Sequence, residues 1–180
     1  MRVLVTGLST YWGGRVAQEL ERRPDVEVVV GVDTRDPRIP LERTEFVRTD
    51  SSYSILARIV AATQVDTILH THLIVDSTRA SGRTLHEINV IGTMSLLAAA
   101  GASGSPVRKV VLKSSGLVYG AAKTDPYFFR EEMTRTSPPN LSNAWRLASS
   151  GLIPARRCFS VCWSMWKRIS SSRPLSNAWR

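Results

Sequence analysis

The first candidate chemistry lies in the opening segment MRVLVTGLSTYWGG, where glycines follow a short apolar run. Val3 to Val5 are typical of a buried strand, and the apolar spacing over residues 13–23 is typical of a helix. Gly7 permits a tight turn between the two elements, and Gly13 permits the helix to pack closely on the strand. Backbone N–H groups at such a helix start bind phosphate oxygens. The segment therefore predicts a site for the pyrophosphate of a dinucleotide.

Two acidic residues stand at the ends of the next apolar runs. Asp33 ends VEVVVGVD, and Asp50 ends EFVRTD. A carboxylate at position 33 can accept hydrogen bonds from both ribose hydroxyls and repel a 2′-phosphate, which favours NAD over NADP. Arg35 nearby keeps NADP open. Asp50 is predicted to accept a hydrogen bond from the adenine amino group, with a helix N-cap as the alternative.

The rest of the pattern alternates apolar runs with helical periodicity. Strands are predicted at 2–6, 26–33, 45–50, 65–73 and 107–116, and helices at 13–23, 53–63 and 84–102. The strand runs are continuously rich in Val, Ile and Leu, which is typical of strands covered on both faces. We therefore predict an α/β fold with a doubly wound parallel sheet. Ligands of such sheets bind beyond the carboxyl ends of the strands.

Six segments succeed one another in a characteristic order: VLVTGLSTYWGG, VVVGVD, FVRTD, TILHTHL, NVIGT and VVLKSSGLVYG. In order and spacing they resemble the extended short-chain dehydrogenase/reductase family. The resemblance is greatest to its NAD-dependent epimerase/dehydratase branch, which includes UDP-glucose 4-epimerase-like proteins, and it covers roughly residues 1–139. It implies a Rossmann-like fold, NAD as the cofactor and a nucleotide-sugar as the substrate, with a homodimer as one option.

The resemblance also implies roles for individual positions. Gly7 and Gly13 match the first and third glycines of the family's TGxxGxxG loop, whereas Thr10 stands at the middle glycine and adds bulk facing the pyrophosphate. His72 and Leu73 stand where the family has small residues beside the cofactor, so they could crowd the dinucleotide. The residues implied to bind the cofactor are Gly7, Thr10, Tyr11, Trp12, Gly13, Asp33, Asp50, His70, His72, Leu73, Asn89 and Ser114.

Catalysis is where the sequence departs most from the family pattern. In SSGLVYG, Ser115 matches the catalytic serine or threonine of the family, whose hydroxyl orients the reacting sugar oxygen. The family's acid/base is a tyrosine in Tyr-x-x-x-Lys about 25 residues later, where the lysine lowers the pKa of the tyrosine. The corresponding window here, PPNLSNAWRLASSG, contains no tyrosine. Two hypotheses follow: an NAD-dependent epimerase/dehydratase-type oxidoreductase, or a catalytically inactive dinucleotide-binding remnant or regulatory protein.

Positive charge is concentrated near the end of the sequence. The formal net charge is +9, yet residues 1–139 hold 17 Lys and Arg against 15 Asp and Glu, whereas residues 140–180 hold seven basic residues and no acidic one. We therefore expect an NAD(P)-binding domain at 1–139, truncated relative to the family, and an irregular, poorly ordered basic tail at 140–180. Non-specific polyanion affinity is expected of that tail, and a basic interaction protein is the third hypothesis.

The sequence lacks the patterns that are typical of membrane proteins, secreted proteins and metal sites. No apolar run reaches 18 residues, and the first residues lack the pattern of a signal peptide, so a cytoplasmic protein without membrane contact is expected. His70 and His72 lack a third candidate ligand, so no metal is predicted. No specific nucleic-acid partner is predicted either.

Overall fold

A computed structural model describes residues 1–50, 52–74, 78, 80–113, 128 and 130 of the chain. The strands are β1 (Arg2–Thr6), β2 (Val28–Asp33), β3 (Thr44–Arg48), β4 (Thr67–His70) and β5 (Lys109–Leu112). The helices are α1 (Tyr11–Glu21), α2 (Tyr53–Thr63), α3 (Gly82–His86) and α4 (Thr93–Gly101), with a π-helical segment at Glu87–Gly92 between the last two.

The five strands form one parallel sheet in the order β3-β2-β1-β4-β5. β1 lies at its centre, with Val5 opposite Gly31 of β2 on one side and opposite Leu69 of β4 on the other. The chain leaves β1 towards β2 but later places β4 on the opposite side of β1. Doubly wound sheets bind their ligands beyond the carboxyl ends of the strands at such a reversal, which here lies between β1 and β4. The predicted α/β fold with a parallel sheet is confirmed.

Both faces of the sheet are covered by apolar packing, which explains the uninterrupted apolar strands. Leu4 faces a core made with α2 and α4, which includes Leu56 and Leu96. Val3 and Val5 face the opposite core, which α1 closes with Ala17 and Leu20. Because successive strand residues point to opposite faces, the middle residues Val3 to Val5 of β1 are apolar on both sides of the sheet.

The long helix predicted at 84–102 is not regular in the structure. It is a short α3, a π-helical segment and α4, and it begins at Gly82 with the Ser81 hydroxyl accepting from the Thr84 backbone N–H at 3.2 Å. The irregular turn contains Asn89, whose side chain bonds to the chain segment after β4. Single-turn π-bulges of this kind are frequent at functional sites.

Within the described residues, no helix combines the length and the apolar character that crossing a membrane requires.

Candidate functional site

The turn between β1 and α1 lies at the centre of the carboxyl edge of the sheet. Gly7 has φ +78°, a conformation that side chains with a Cβ rarely adopt, and its backbone N–H donates to the Val32 carbonyl at 3.0 Å. A Cβ built on Gly7 would lie 2.6 Å from the backbone nitrogen of His72. The turn and the segment after β4 are therefore in direct contact, and only glycine fits between them.

Gly13 brings the first turn of α1 onto the same glycine turn. A Cβ at this position would lie 2.1 Å from the Gly7 carbonyl oxygen and 2.8 Å from the Thr71 hydroxyl. The amino end of α1 thus stands directly above the ends of β1 and β4. Its backbone dipoles favour an anion at this end of the helix.

Thr10 is the N-cap of α1 and has an ordinary extended backbone, with φ −77° and ψ 154°. Its hydroxyl donates to the Gly7 carbonyl at 2.7 Å and accepts from the Gly13 N–H at 3.0 Å. The sequence predicts that the Thr10 side chain adds bulk facing the pyrophosphate. Its hydroxyl group instead points to the start of α1, where its two hydrogen bonds stabilise the loop.

Asp33 ends β2 beside the glycine turn, and it is only 4% exposed. Its Oδ2 accepts from the Ser9 N–H at 2.8 Å, while its Oδ1 accepts from the Thr34 N–H at 2.7 Å and the Arg35 N–H at 3.3 Å. Burial raises the pKa of Asp33, but hydrogen bonds from Ser9 and the charge of His72 outweigh it and hold the pKa below its ordinary value. The carboxylate is therefore charged and fixed in place at the end of β2.

His70 lies inside the fold, 2% exposed, and both of its ring nitrogens have partners. Nδ1 is 2.6 Å from the Thr6 hydroxyl, and Nε2 is 3.0 Å from the Thr93 hydroxyl. Thr93 donates its single hydroxyl hydrogen to the Asn89 carbonyl at 2.7 Å, so Nε2 must carry the ring proton and Nδ1 must accept from Thr6. Burial, with the charge of His72 as a smaller cause, lowers the pKa of His70 to about 3.

His72 and Leu73 follow β4 and are half-buried. The Leu73 N–H donates to the Thr71 carbonyl at 2.9 Å. The next residue, Ile74, is bound through its backbone by the Asn89 amide, with Asn89 Oδ1 accepting at 2.9 Å and Nδ2 donating at 2.7 Å. Asn89 thus fixes the path of the segment that contacts Gly7.

The other predicted residues are more peripheral or lie outside the described residues. Asp50 is exposed beyond β3, where its Oδ1 accepts from the Ser52 N–H at 3.0 Å ahead of α2. Tyr11 and Trp12 are exposed, with their rings edge to face at 5.4 Å between centroids. Ser114 and Ser115 lie outside the described residues, so their roles stay predictions.

Sequence reasoning missed the residues that hold the predicted ones in place. Ser9 orients Asp33, and Thr6 and Thr93 orient His70. A serine or threonine next to a glycine turn is too common to be singled out, and Thr93 lies 23 residues from His70 in the chain. Among the described residues, no three His, Cys, Asp or Glu side chains are grouped as metal ligands would be.

Comparison with known proteins identifies one family model and several relatives that match this chain. The model of the NAD dependent epimerase/dehydratase family matches residues 3–148. The uncharacterized protein Rv0501 of Mycobacterium tuberculosis is 36% identical over 141 residues, which are 76% of this chain and 37% of that protein. The chain therefore spans little more than a third of the length of this relative.

Solved structures show the same architecture. MoeE5, in complex with UDP-glucose and NAD, superposes with a TM-score of 0.68 at 26% identity, over 89% of this chain and 52% of that chain. A UDP-glucose 4-epimerase superposes with a TM-score of 0.75 at 17% identity, over 89% and 50% of the two chains. At that lower identity the likeness concerns the fold alone.

Proposed function

Because this chain belongs to the NAD-dependent epimerase/dehydratase family, we propose that its β1–α1 turn binds NAD for chemistry on a nucleotide-sugar. The observation that carries the proposal is Asp33, a buried and charged carboxylate held by backbone N–H groups beside a glycine turn. A fixed carboxylate at the end of the second strand is suited to accept a hydrogen bond from a ribose hydroxyl, and it disfavours the 2′-phosphate of NADP.

The shape of the turn fits the pyrophosphate of a dinucleotide. Gly7 and Gly13 leave no side chain between the ends of β1 and β4 and the start of α1, because a Cβ at either position would collide with backbone. The backbone can therefore approach a pyrophosphate closely, and the helix dipole favours its charge. Thr10 keeps its hydroxyl on the helix end, where it bonds to Gly7 and Gly13.

Bound NAD would accept a hydride from the sugar carbon whose hydroxyl group is oxidised. The part of this chain would be to fix the ribose through Asp33 and the pyrophosphate through the β1–α1 turn. Ser115 is proposed to orient the sugar oxygen that reacts. In this proposal residues 1–139 form the NAD-binding domain and residues 140–180 form a separate basic tail.

The nucleotide-sugar class is supported by a solved relative with more than 25% identity to this chain. MoeE5, at 26% identity, carries UDP-glucose together with NAD in its structure. The match covers 52% of that chain, and the proposal for this chain therefore concerns the class of substrate.

A titration of NAD⁺ by calorimetry tests the proposal, with Asp33→Ala as the main variant. We expect the full chain to bind NAD⁺ more tightly than NADP⁺, and Asp33→Ala to weaken NAD⁺ binding about tenfold or more, because a hydrogen bond to a charged group contributes roughly 1.5–3 kcal/mol. Asp25→Ala is the matched control, since Asp25 is exposed and pairs with Arg23 beyond the carboxyl end of α1, whereas the glycine turn lies at its amino end. Equal affinity in wild type and Asp33→Ala would overturn the proposal.

Binding of NAD without turnover is the second candidate function, and a feature of the sequence favours it. The window about 25 residues after Ser115 has no tyrosine. Tyr119 and Lys123 do have the spacing Tyr-x-x-x-Lys, but they follow Ser115 by only four and eight residues, and they lie outside the described residues. Incubation of the NAD-bound chain with UDP-glucose separates the candidates, because only the enzyme converts the sugar.

A further inference from the structure

Leu8, which stands between Gly7 and Ser9 in the β1–α1 turn, is fully buried. It belongs to the apolar core that α1 closes over the sheet, together with Val29 of β2. A Cβ built on Gly31 would lie 2.3 Å from Leu8 Cδ2, 3.1 Å from Cδ1 and 3.2 Å from Cγ. The end of the leucine side chain therefore occupies the space that any larger residue at position 31 would need.

Gly31 and Asp33 lie on the same face of β2, because residues two apart in a strand share a face. Leu8 is seated over Gly31, and the next residue of the turn, Ser9, donates its backbone N–H to Asp33 Oδ2 at 2.8 Å. Two consecutive residues of the turn thus contact two successive positions on one face of β2. The apolar contact and the hydrogen bond to the carboxylate are therefore coupled in space.

The contact of Leu8 sets how closely the turn approaches β2. Hydrogen bonds stand on both sides of it, from the Gly7 N–H to the Val32 carbonyl at 3.0 Å and from the Ser9 N–H to the carboxylate at the end of β2. Both bonds require the turn to lie close to the strand, and leucine has room there only because position 31 has no side chain. Because Leu8 is enclosed by the core, it cannot yield to a larger neighbour without displacing the turn.

We propose that the Leu8–Gly31 pair positions the dinucleotide site: the leucine seated over the glycine holds the turn against β2, keeps the Ser9 N–H on Asp33, and so sets the affinity for NAD⁺. This inference rests on the proposed function, because it concerns how the same site is held in place. Leu8 and Gly31 are positioning residues, since neither has a polar side chain to offer a ligand. Binding groups must be held to within about 0.5 Å of their productive geometry, so a small displacement of the turn is enough to weaken binding.

The proposal predicts that one substitution has opposite effects in two backgrounds. Gly31→Ala should weaken NAD⁺ binding about tenfold in calorimetry, the factor expected when a hydrogen bond to a charged group is lost. Leu8→Ala should weaken binding in the wild-type chain, because the turn loses its apolar anchor. In the Gly31→Ala background the same substitution should strengthen binding, because it removes the colliding atoms.

Val29→Ala is the matched control, since Val29 is buried on the same face of β2, two residues before Gly31. It should lower the urea midpoint by leaving a cavity, yet keep the NAD⁺ affinity of the folded chain. If Gly31→Ala likewise lowers stability with unchanged affinity, its role is merely structural and the proposal is wrong. Weaker binding on Leu8→Ala in both backgrounds would contradict it too.

Hydrogen exchange of the Ser9 amide, measured by NMR in the full chain without ligand, tests the positioning independently of NAD⁺. Exchange should be faster in Leu8→Ala than in wild type, and Val29→Ala should leave it unchanged. Leu8→Ala introduces no collision, so it carries this test even if Gly31→Ala does not fold. Equal exchange in wild type and Leu8→Ala would overturn the positioning role. The expected exchange pattern in a wild-type chain that binds no NAD⁺ would support the positioning of Ser9 and overturn the proposed function.

Discussion

Thr10 stands where the family pattern has its middle glycine, and it has an ordinary extended backbone. The position needs no positive φ here, since Thr10 has φ −77°, and its hydroxyl bonds to both Gly7 and Gly13. The family pattern led to an expectation of added bulk at the pyrophosphate, but the cap hydrogen bonds turn the hydroxyl group toward the helix. A rule about residue types missed this because the cap depends on the side-chain rotamer.

Thr10→Val should therefore destabilise the fold, although valine has nearly the same shape as threonine. The variant loses the N-cap acceptor for the Gly13 N–H and the bond to the Gly7 carbonyl, and the loss of such a cap costs about 1 kcal/mol. Thr10→Ser keeps the hydroxyl and serves as the control. Urea unfolding of the two variants measures the difference, and equal midpoints would contradict the capping role.

The π-helical segment is the element that the sequence pattern could least predict. The apolar spacing over residues 84–102 is compatible with one continuous helix. A π-helical turn contains one extra residue, and this small change cannot be detected in the spacing of apolar residues. The departure follows from a tertiary contact, because Asn89 bonds to both backbone groups of Ile74. The π-helical segment thus lets a helix on one face of the sheet hold the segment that follows β4.

Asn89→Ala should loosen that segment selectively. It leaves the N–H and carbonyl of Ile74 without these partners, and an unsatisfied buried backbone group costs about 1–3 kcal/mol. Faster hydrogen exchange of the Ile74 amide, measured by NMR, should accompany the lower stability. Ile91→Ala is the control on the same segment, since Ile91 is 48% exposed and its loss should leave the Ile74 amide protected. An unchanged exchange rate of the Ile74 amide in Asn89→Ala would show that Asn89 does not hold this segment.

At the scale of the whole molecule, one chain of hydrogen bonds joins the central strands to the helical layer. It runs from Thr6 in β1 through His70 in β4 to Thr93 in α4 and ends on the Asn89 carbonyl. It requires a neutral His70, because Nδ1 must accept a hydrogen bond. Protonation of this ring would place an unpaired charge in the core.

The stability of the fold should consequently fall in mild acid. Above pH 6.5 His70 is neutral in both the folded and the unfolded state, so it adds no pH dependence. Below pH 6.5 the unfolded chain takes up the proton, whereas the folded chain resists until about pH 3. Between pH 7 and pH 5 this difference removes about 2 kcal/mol of unfolding free energy.

Urea unfolding at a series of pH values measures this loss. His70→Gln should flatten the pH dependence between pH 7 and 5, whatever its own stability, and the exposed His86→Gln should keep it. A wild-type chain that is equally stable at pH 7 and pH 5 would contradict the buried neutral histidine.

The sequence by itself determined the order of strands and helices, the parallel sheet and the positions of Gly7 and Asp33. These features depend on local periodicity and on residue types that only certain turns accept. They can therefore be predicted without knowing which distant segments are in contact. Element ends were less well predicted, as for β4, which was expected at 65–73 and ends at His70. The roles of all the predicted site residues, including Gly7, Asp33 and Ser115, stay predictions.

Only the tertiary structure decided what each polar residue does. It separated His70, buried with two partners, from His72, which stands beside the glycine turn, although the sequence presents them as a matched pair. It also joined Ser9 to Asp33 and Asn89 to Ile74. The physical reason is that burial, hydrogen-bond partners and charge at a side chain are set by segments that are distant in sequence and adjacent in the fold.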